Sequence, residues 1–152
     1  MALIRPEHLE ELLALRGKGG PVVSLYLNVT PPRPFKSELR SLISRKWEKL
    51  QEAGLAEDLL RKIEDIFESL KGYVDELRPL ERTRLLVVFA TGEDIFQEYR
   101  LPVALPSRLY VDPDPYIRPL TALLDEFDRY CVAVVSRKEA RVFHMYLGEM
   151  EE

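Results

Sequence analysis

"RLLVVFATG", residues 84–92, holds an unbroken apolar run from Leu85 to Ala90. A strand with one face in water alternates apolar and polar residues; a run without alternation is covered on both faces. It is therefore read as the central strand of a sheet, closed by Gly92. Upstream, "PVVSLYLNV" (21–29) is rich in β-branched and aromatic residues, with Val23, Leu25 and Leu27 alternating against Ser24 and Asn28. It reads as a second strand, ended by "TPPRP" (30–34), because proline cannot donate to a ladder. Downstream, "FQEYRLPV" (96–103) and "SRLYVD" (107–112) are shorter and more polar, as outer strands are.

Between the two apolar strands the periodicity changes from two to 3.6. From Lys36 to Gln51 the apolar positions Leu39, Leu42, Ile43, Trp47 and Leu50 keep helical spacing. From Leu55 to Leu77 the set Leu59, Leu60, Ile63, Ile66, Phe67, Leu70, Tyr73, Val74 and Leu77 steps by threes and fours. Two amphipathic helices are predicted. A further helix is expected near the N-terminus, where Pro6 suits a first helical position and Leu9, Leu12, Leu13 and Leu15 precede "GKGG". The fold class is therefore α/β (α+β): a mixed β-sheet with the 36–77 helices packed on it, as one domain over residues 1–128. "CVAVVSRKEARVFHMYLG" (131–148) follows as strand, polar turn and strand, the first hairpin of a second domain over 129–152.

Of the 152 residues 46% are apolar and 32% charged, which supports a buried core in a water-soluble chain. No apolar run reaches the roughly 20 residues that cross a bilayer. Glu7, His8, Glu10 and Glu11 interrupt any signal-peptide core. The single cysteine, Cys131, forms no internal disulfide, and a cytoplasmic location is expected.

"YVDPDPYIRPL" (110–120) brings Asp112 and Asp114 within two residues, a spacing open to a carboxylate pair. Pro113 and Pro115 instead force both aspartates out of the helical region, and Asp-Pro starts turns. Pro119 suits the first position of a following helix. The stretch is read as strand end, turn and helix start. His8 and His144 have no Cys or carboxylate neighbours at metal-ligand spacing, and Gly19-Gly20 forms no phosphate loop. No catalytic residue, metal site or cofactor is expected.

Net charge is −4, against a simple nucleic-acid coat, but the charge is unevenly spread. Residues 33–49 carry Arg33, Lys36, Arg40, Arg45, Lys46 and Lys49 against Glu38 and Glu48, a local +4. Residues 52–78 carry a local −4. Basic groups interleaved with an aromatic suit phosphate contact and base stacking. Arg33, Lys36, Arg40, Arg45 and Lys49 are the candidate phosphate contacts, and Phe35 the candidate stacking partner. The same charges also suit a merely solvated helix face.

Taken in order, "VVSLYLNVTPP", two helices, "RLLVVFATG" and "SRLYVDPDPYIRPLTALLDEFDRYCVAVVSRKEARVFHMYLG" resemble the archaeo-eukaryotic class I peptide-chain release factors. The closer likeness is to their bacterial and archaeal, Pelota-like relatives. The resemblance covers residues 21–31 and 83–148 in detail and the intervening helices in pattern. It implies a release-factor N-terminal-like domain followed by a truncated start of an RNase H-like domain. It further implies a cytoplasmic role in translation termination or ribosome rescue, with ribosomal RNA or tRNA as partner. Two motifs of the family are missing. The Asn-Ile-Lys-Ser codon-reading motif between the helices is replaced by "QEAGLAEDL" (51–59), and the Gly-Gly-Gln hydrolysis motif lies beyond the last strand that the chain contains. The alternative is a stand-alone protein–protein interaction module, a homodimer through Val132, Val134 and Phe143 of the C-terminal hairpin.

Overall fold

The computed structural model describes residues 7, 10, 11, 20–77, 80, 82–92, 94–126, 130–135, 140–146 and 149–151. The chain divides into two compact units, Met1–Tyr116 and Ile117–Glu152.

In the first unit, β1 (Val22–Asn28) leads to α1 (Phe35–Glu52) and α2 (Glu57–Asp75), then to β2 (Leu85–Thr91), β3 (Asp94–Leu101) and β4 (Arg108–Asp112). The strands form one sheet in the order β3-β2-β1-β4. The two apolar runs are thus central and the two polar ones lie at the edges, as their patterns predict. Residues 85–90 of β2 are each 1% exposed or less, which confirms cover on both faces.

The class is α+β, as expected, but the sheet is antiparallel at every described pairing rather than mixed. The reason lies in the number of crossover helices. One helix carries the chain back to the start of the previous strand and makes the next strand parallel. Here α1 runs away from the end of β1 and α2 returns, so β2 starts beside Asn28 and runs opposite to β1. The register bears this out, with Asn28 opposite Leu85 and Val22 opposite Thr91.

Both helices begin with acidic residues, Glu38 in the first turn of α1 and Glu57 and Asp58 in that of α2, which complements the positive N-terminal ends of their dipoles. Gly54, at φ +72, makes the left-handed turn that separates them. Ile63, Ile66, Phe67, Leu70 and Val74 of α2 and Leu39 and Ile43 of α1 pack onto Val23, Leu25, Leu27, Leu86 and Val88 of the sheet. Trp47 meets Phe67 edge-on across the helix pair, ring centroids 6.3 Å apart. Each fully buried aliphatic side chain in this layer contributes roughly 1.5–3 kcal/mol. On the other sheet face Tyr26 meets Phe89 and Tyr110 edge-on, and Tyr110 stacks on Tyr116 at 4.0 Å.

The acidic turn behaves as a backbone device. β4 ends at Asp112, the chain bends at Pro113 and Asp114, and β1 then grips Tyr116 at both backbone groups. Tyr116 N–H donates to Ser24 Oγ at 2.9 Å, and the Tyr26 hydroxyl donates to the Tyr116 carbonyl.

In the second unit, α3 (Arg118–Glu126) is followed by a three-stranded antiparallel sheet, β5 (Tyr130–Val135), β6 (Ala140–Tyr146) and β7 (Glu149–Glu151). Pro119 is the second residue of α3, one position later than expected. β5 and β6 form the hairpin read from the sequence, with Val132 opposite Phe143. The side chains on which a dimer would depend, those of Val132, Val134 and Phe143, lie outside the described part. The same holds for Leu9, Leu12, Leu13 and Leu15; Glu7, Glu10 and Glu11 beside them are helical. Among the described residues no helix is long and apolar enough to cross a membrane.

Candidate nucleic-acid interface

The six residues singled out at 33–49 fall on two flanks of α1. Lys36 and Arg40, one turn apart, face α2. Lys36 Nζ donates to the main-chain oxygen of Asp75 at 2.9 Å, and Arg40 pairs with the Asp75 carboxylate at 2.7 Å. They secure the C-terminal end of α2, where cations are favoured. Phe35 is half-buried and packs against the core cluster, so only part of its side chain is open to a stacking partner. As the first residue of α1, it is drawn under the helix by the apolar layer below.

Arg33, Arg45 and Lys49 lie towards the other flank. Arg45 Nε donates to the Ser41 carbonyl at 3.4 Å, and Arg45 and Lys49 have no carboxylate partner among the described residues. Arg33 pairs with Glu38 at 3.1 Å. This flank forms one wall of a groove of about 780 Å³. Arg33 with Ser37, Glu38, Ser41, Leu42 and Arg45 of α1 lines it, together with Asn28 at the end of β1, the segment 104–107 and Arg108. Three guanidinium groups thus share the groove with a single lining carboxylate, Glu38.

A second groove of about 730 Å³ opens on the far side of Arg33. Its walls include Lys36, Arg82 and Arg84, over an apolar floor of Val29, Phe35, Leu77 and Leu80. Both grooves lie at the end of the sheet where β1 and β3 finish and β2 and β4 begin.

Arg108, Arg82 and Arg84 were not legible as site residues in the sequence. They sit in "SRLYVD" and "ERTR", each unremarkable alone. Only the strand order brings Arg108 beside α1: β4 pairs with β1, and Asn28 N–H donates to Ser107 Oγ at 2.9 Å. Asp112 is exposed and Asp114 half-buried, and among the described residues no three His, Cys, Asp or Glu side chains gather as metal ligands.

Residues 115–152 match the model of bacterial archaeo-eukaryotic release factor family 10. The match starts within the turn after β4 and spans the whole second unit. It agrees with the release-factor likeness of the sequence and points to a translation-related role. The two grooves lie N-terminal to the matched residues. No curated protein matches the chain.

Proposed function

We propose that the first unit is an RNA-contacting domain of a release-factor-like or ribosome-rescue protein, which engages the ribosome through the cationic end of its sheet. The observation that carries this reading is the gathering of Arg33, Arg45 and Arg108 around one groove in a chain of net charge −4. Binding follows the local field rather than the total charge. The family match supports a place in translation. In this reading Lys36 and Arg40 hold α2, and Arg45 and Lys49 supply the exposed phosphate contacts.

The test is co-sedimentation with ribosomes at several salt concentrations, comparing the chain with an Arg45→Glu, Lys49→Glu variant. Neither substitution breaks an ion pair seen in the described residues. Salt-sensitive binding lost in the variant supports the reading. Equal, salt-insensitive binding by both, or none by either, overturns it.

The chain is proposed to act without cleaving an ester itself, since Asp112 and Asp114 serve the turn. Peptidyl-tRNA is expected to stay intact in its presence; release that depends on either aspartate would refute this.

A further inference from the structure

We propose that the groove between α1 and the start of β4 holds the sugar–phosphate backbone of a single nucleic-acid strand. Arg33, Arg45 and Arg108 contact its phosphates, and Glu38 limits its affinity. The inference rests on the RNA-contact reading above and specifies where the strand lies.

Arg45 and Arg108 are held only by main-chain carbonyls among the described residues, Ser41 at 3.4 Å and Ser107 at 3.0 Å. Their planar forks keep further donors for an anion, and arginine matches phosphate in a bidentate manner. Ser37, Ser41 and Ser107 line the same groove. Ser107 Oγ accepts the Asn28 N–H, so its own proton remains to be donated outward.

From Glu38, which holds the Arg33 guanidinium at 3.1 Å, to Arg45 the helix rises about 10 Å, so these two cations are set apart along the groove rather than converging on one point. A lone phosphate or a mononucleotide would leave part of the set idle, whereas successive phosphates of a strand use all three. Glu38 lines the groove and takes up Arg33 at 3.1 Å, so an incoming phosphate must displace it and meets its negative charge. Glu38 thus sets a ceiling on affinity, suited to a strand that must also be released.

The experiment is fluorescence anisotropy of a labelled single-stranded RNA decamer with the full chain, over a series of salt concentrations. AMP and inorganic phosphate serve as competitors. Three phosphates at roughly 0.7 each give an expected slope of log affinity against log salt near −2. Arg108→Ala should weaken binding several-fold and make the slope shallower by about 0.7. Glu38→Gln should tighten binding, a gain that misfolding cannot imitate. Lys62→Ala, exposed on α2, should bind as the unmodified chain does.

Wild-type behaviour of both Arg108→Ala and Glu38→Gln would overturn the groove. So would competition by AMP as strong as by unlabelled decamer, which would mark a compact phosphate site. Ribosome binding that needs Arg45 and Lys49 but ignores Arg108 would remove the groove while leaving the broader reading intact. Absence of binding to both ribosomes and decamer would remove both.

Discussion

Ser24 and Thr30, six residues apart, each bury a hydroxyl, but in opposite circumstances. Ser24 Oγ accepts the Tyr116 N–H, whereas Thr30 Oγ1 is buried with no hydrogen-bond partner among the described residues. Removing one half of a buried hydrogen bond costs more than removing an unpaired group. Ser24→Ala is therefore expected to lower the unfolding free energy by about 1–2 kcal/mol. Thr30→Val, nearly isosteric, should leave it unchanged or raise it by up to about 1 kcal/mol. Urea unfolding of the two variants checks the pair, and a loss at Thr30 matching that at Ser24 would contradict the assignment. Tyr26 gives a pH signature from the same region. Burial, and then Tyr110 and Tyr116, hold its hydroxyl well above the ordinary value of 10. The folded chain then keeps a proton that the unfolded chain loses. Stability is fully present below about pH 10 and falls above it, by at most about 1.4 kcal/mol per pH unit from this residue. Alkaline unfolding curves should be shallower for Tyr26→Phe, provided that its neutral-pH stability is taken as the reference.

At the scale of elements, the seam between α2 and the sheet carries the fold. Leu70 is 0% exposed at the centre of that seam. Leu70→Ala is expected to cost about 2–5 kcal/mol in urea unfolding. Leu70→Asp adds an unpaired charge and should abolish the cooperative melt; a soluble, cooperatively melting Leu70→Asp would mean that this face does not meet the sheet. The seam was legible in the sequence because helical spacing names the buried face directly, from Leu59 to Leu77. The unbroken run from Leu85 to Ala90 likewise named the central strand. What periodicity does not encode is the pairing between elements. That Arg40 meets Asp75, thirty-five residues away, depends on how α1 and α2 lie side by side. Phe35 packs against the core cluster for the same reason. Read along α1 alone it is fully available; in the fold it is half-buried and lines the second groove.

At the scale of the molecule, the parity of the crossover decides where the charges gather. With two helices between β1 and β2, the end of β1, the start of α1, the end of α2, and the β2 and β4 starts come to one place. Arg33, Arg45 and Arg108 thereby share one groove, and Arg33, Arg82 and Arg84 the other. The basic part of this site at 33–49 was legible because it is local in sequence. The remainder was not, since Arg108 becomes relevant only when β4 is known to pair with β1. The same parity gives the helix pair a free end. The turn at Ala53–Ala56 is remote from the grooves, and a Cβ placed at Gly54 would touch nothing within 4 Å. Extra chain spliced in there neither shifts the strands nor approaches the arginines. Loop-closure entropy makes each doubling of such a loop cost only about 0.6 kcal/mol. A flexible tag of ten or so residues inserted after Gly54 should thus lower the melting temperature only slightly and leave affinity for the RNA decamer, held in the groove of Arg33, Arg45 and Arg108, as it was. The tip of the helix pair is accordingly the place to attach a fluorophore or a purification handle while the groove stays untouched, and a crosslinker there reports on whatever lies one turn away at Lys49.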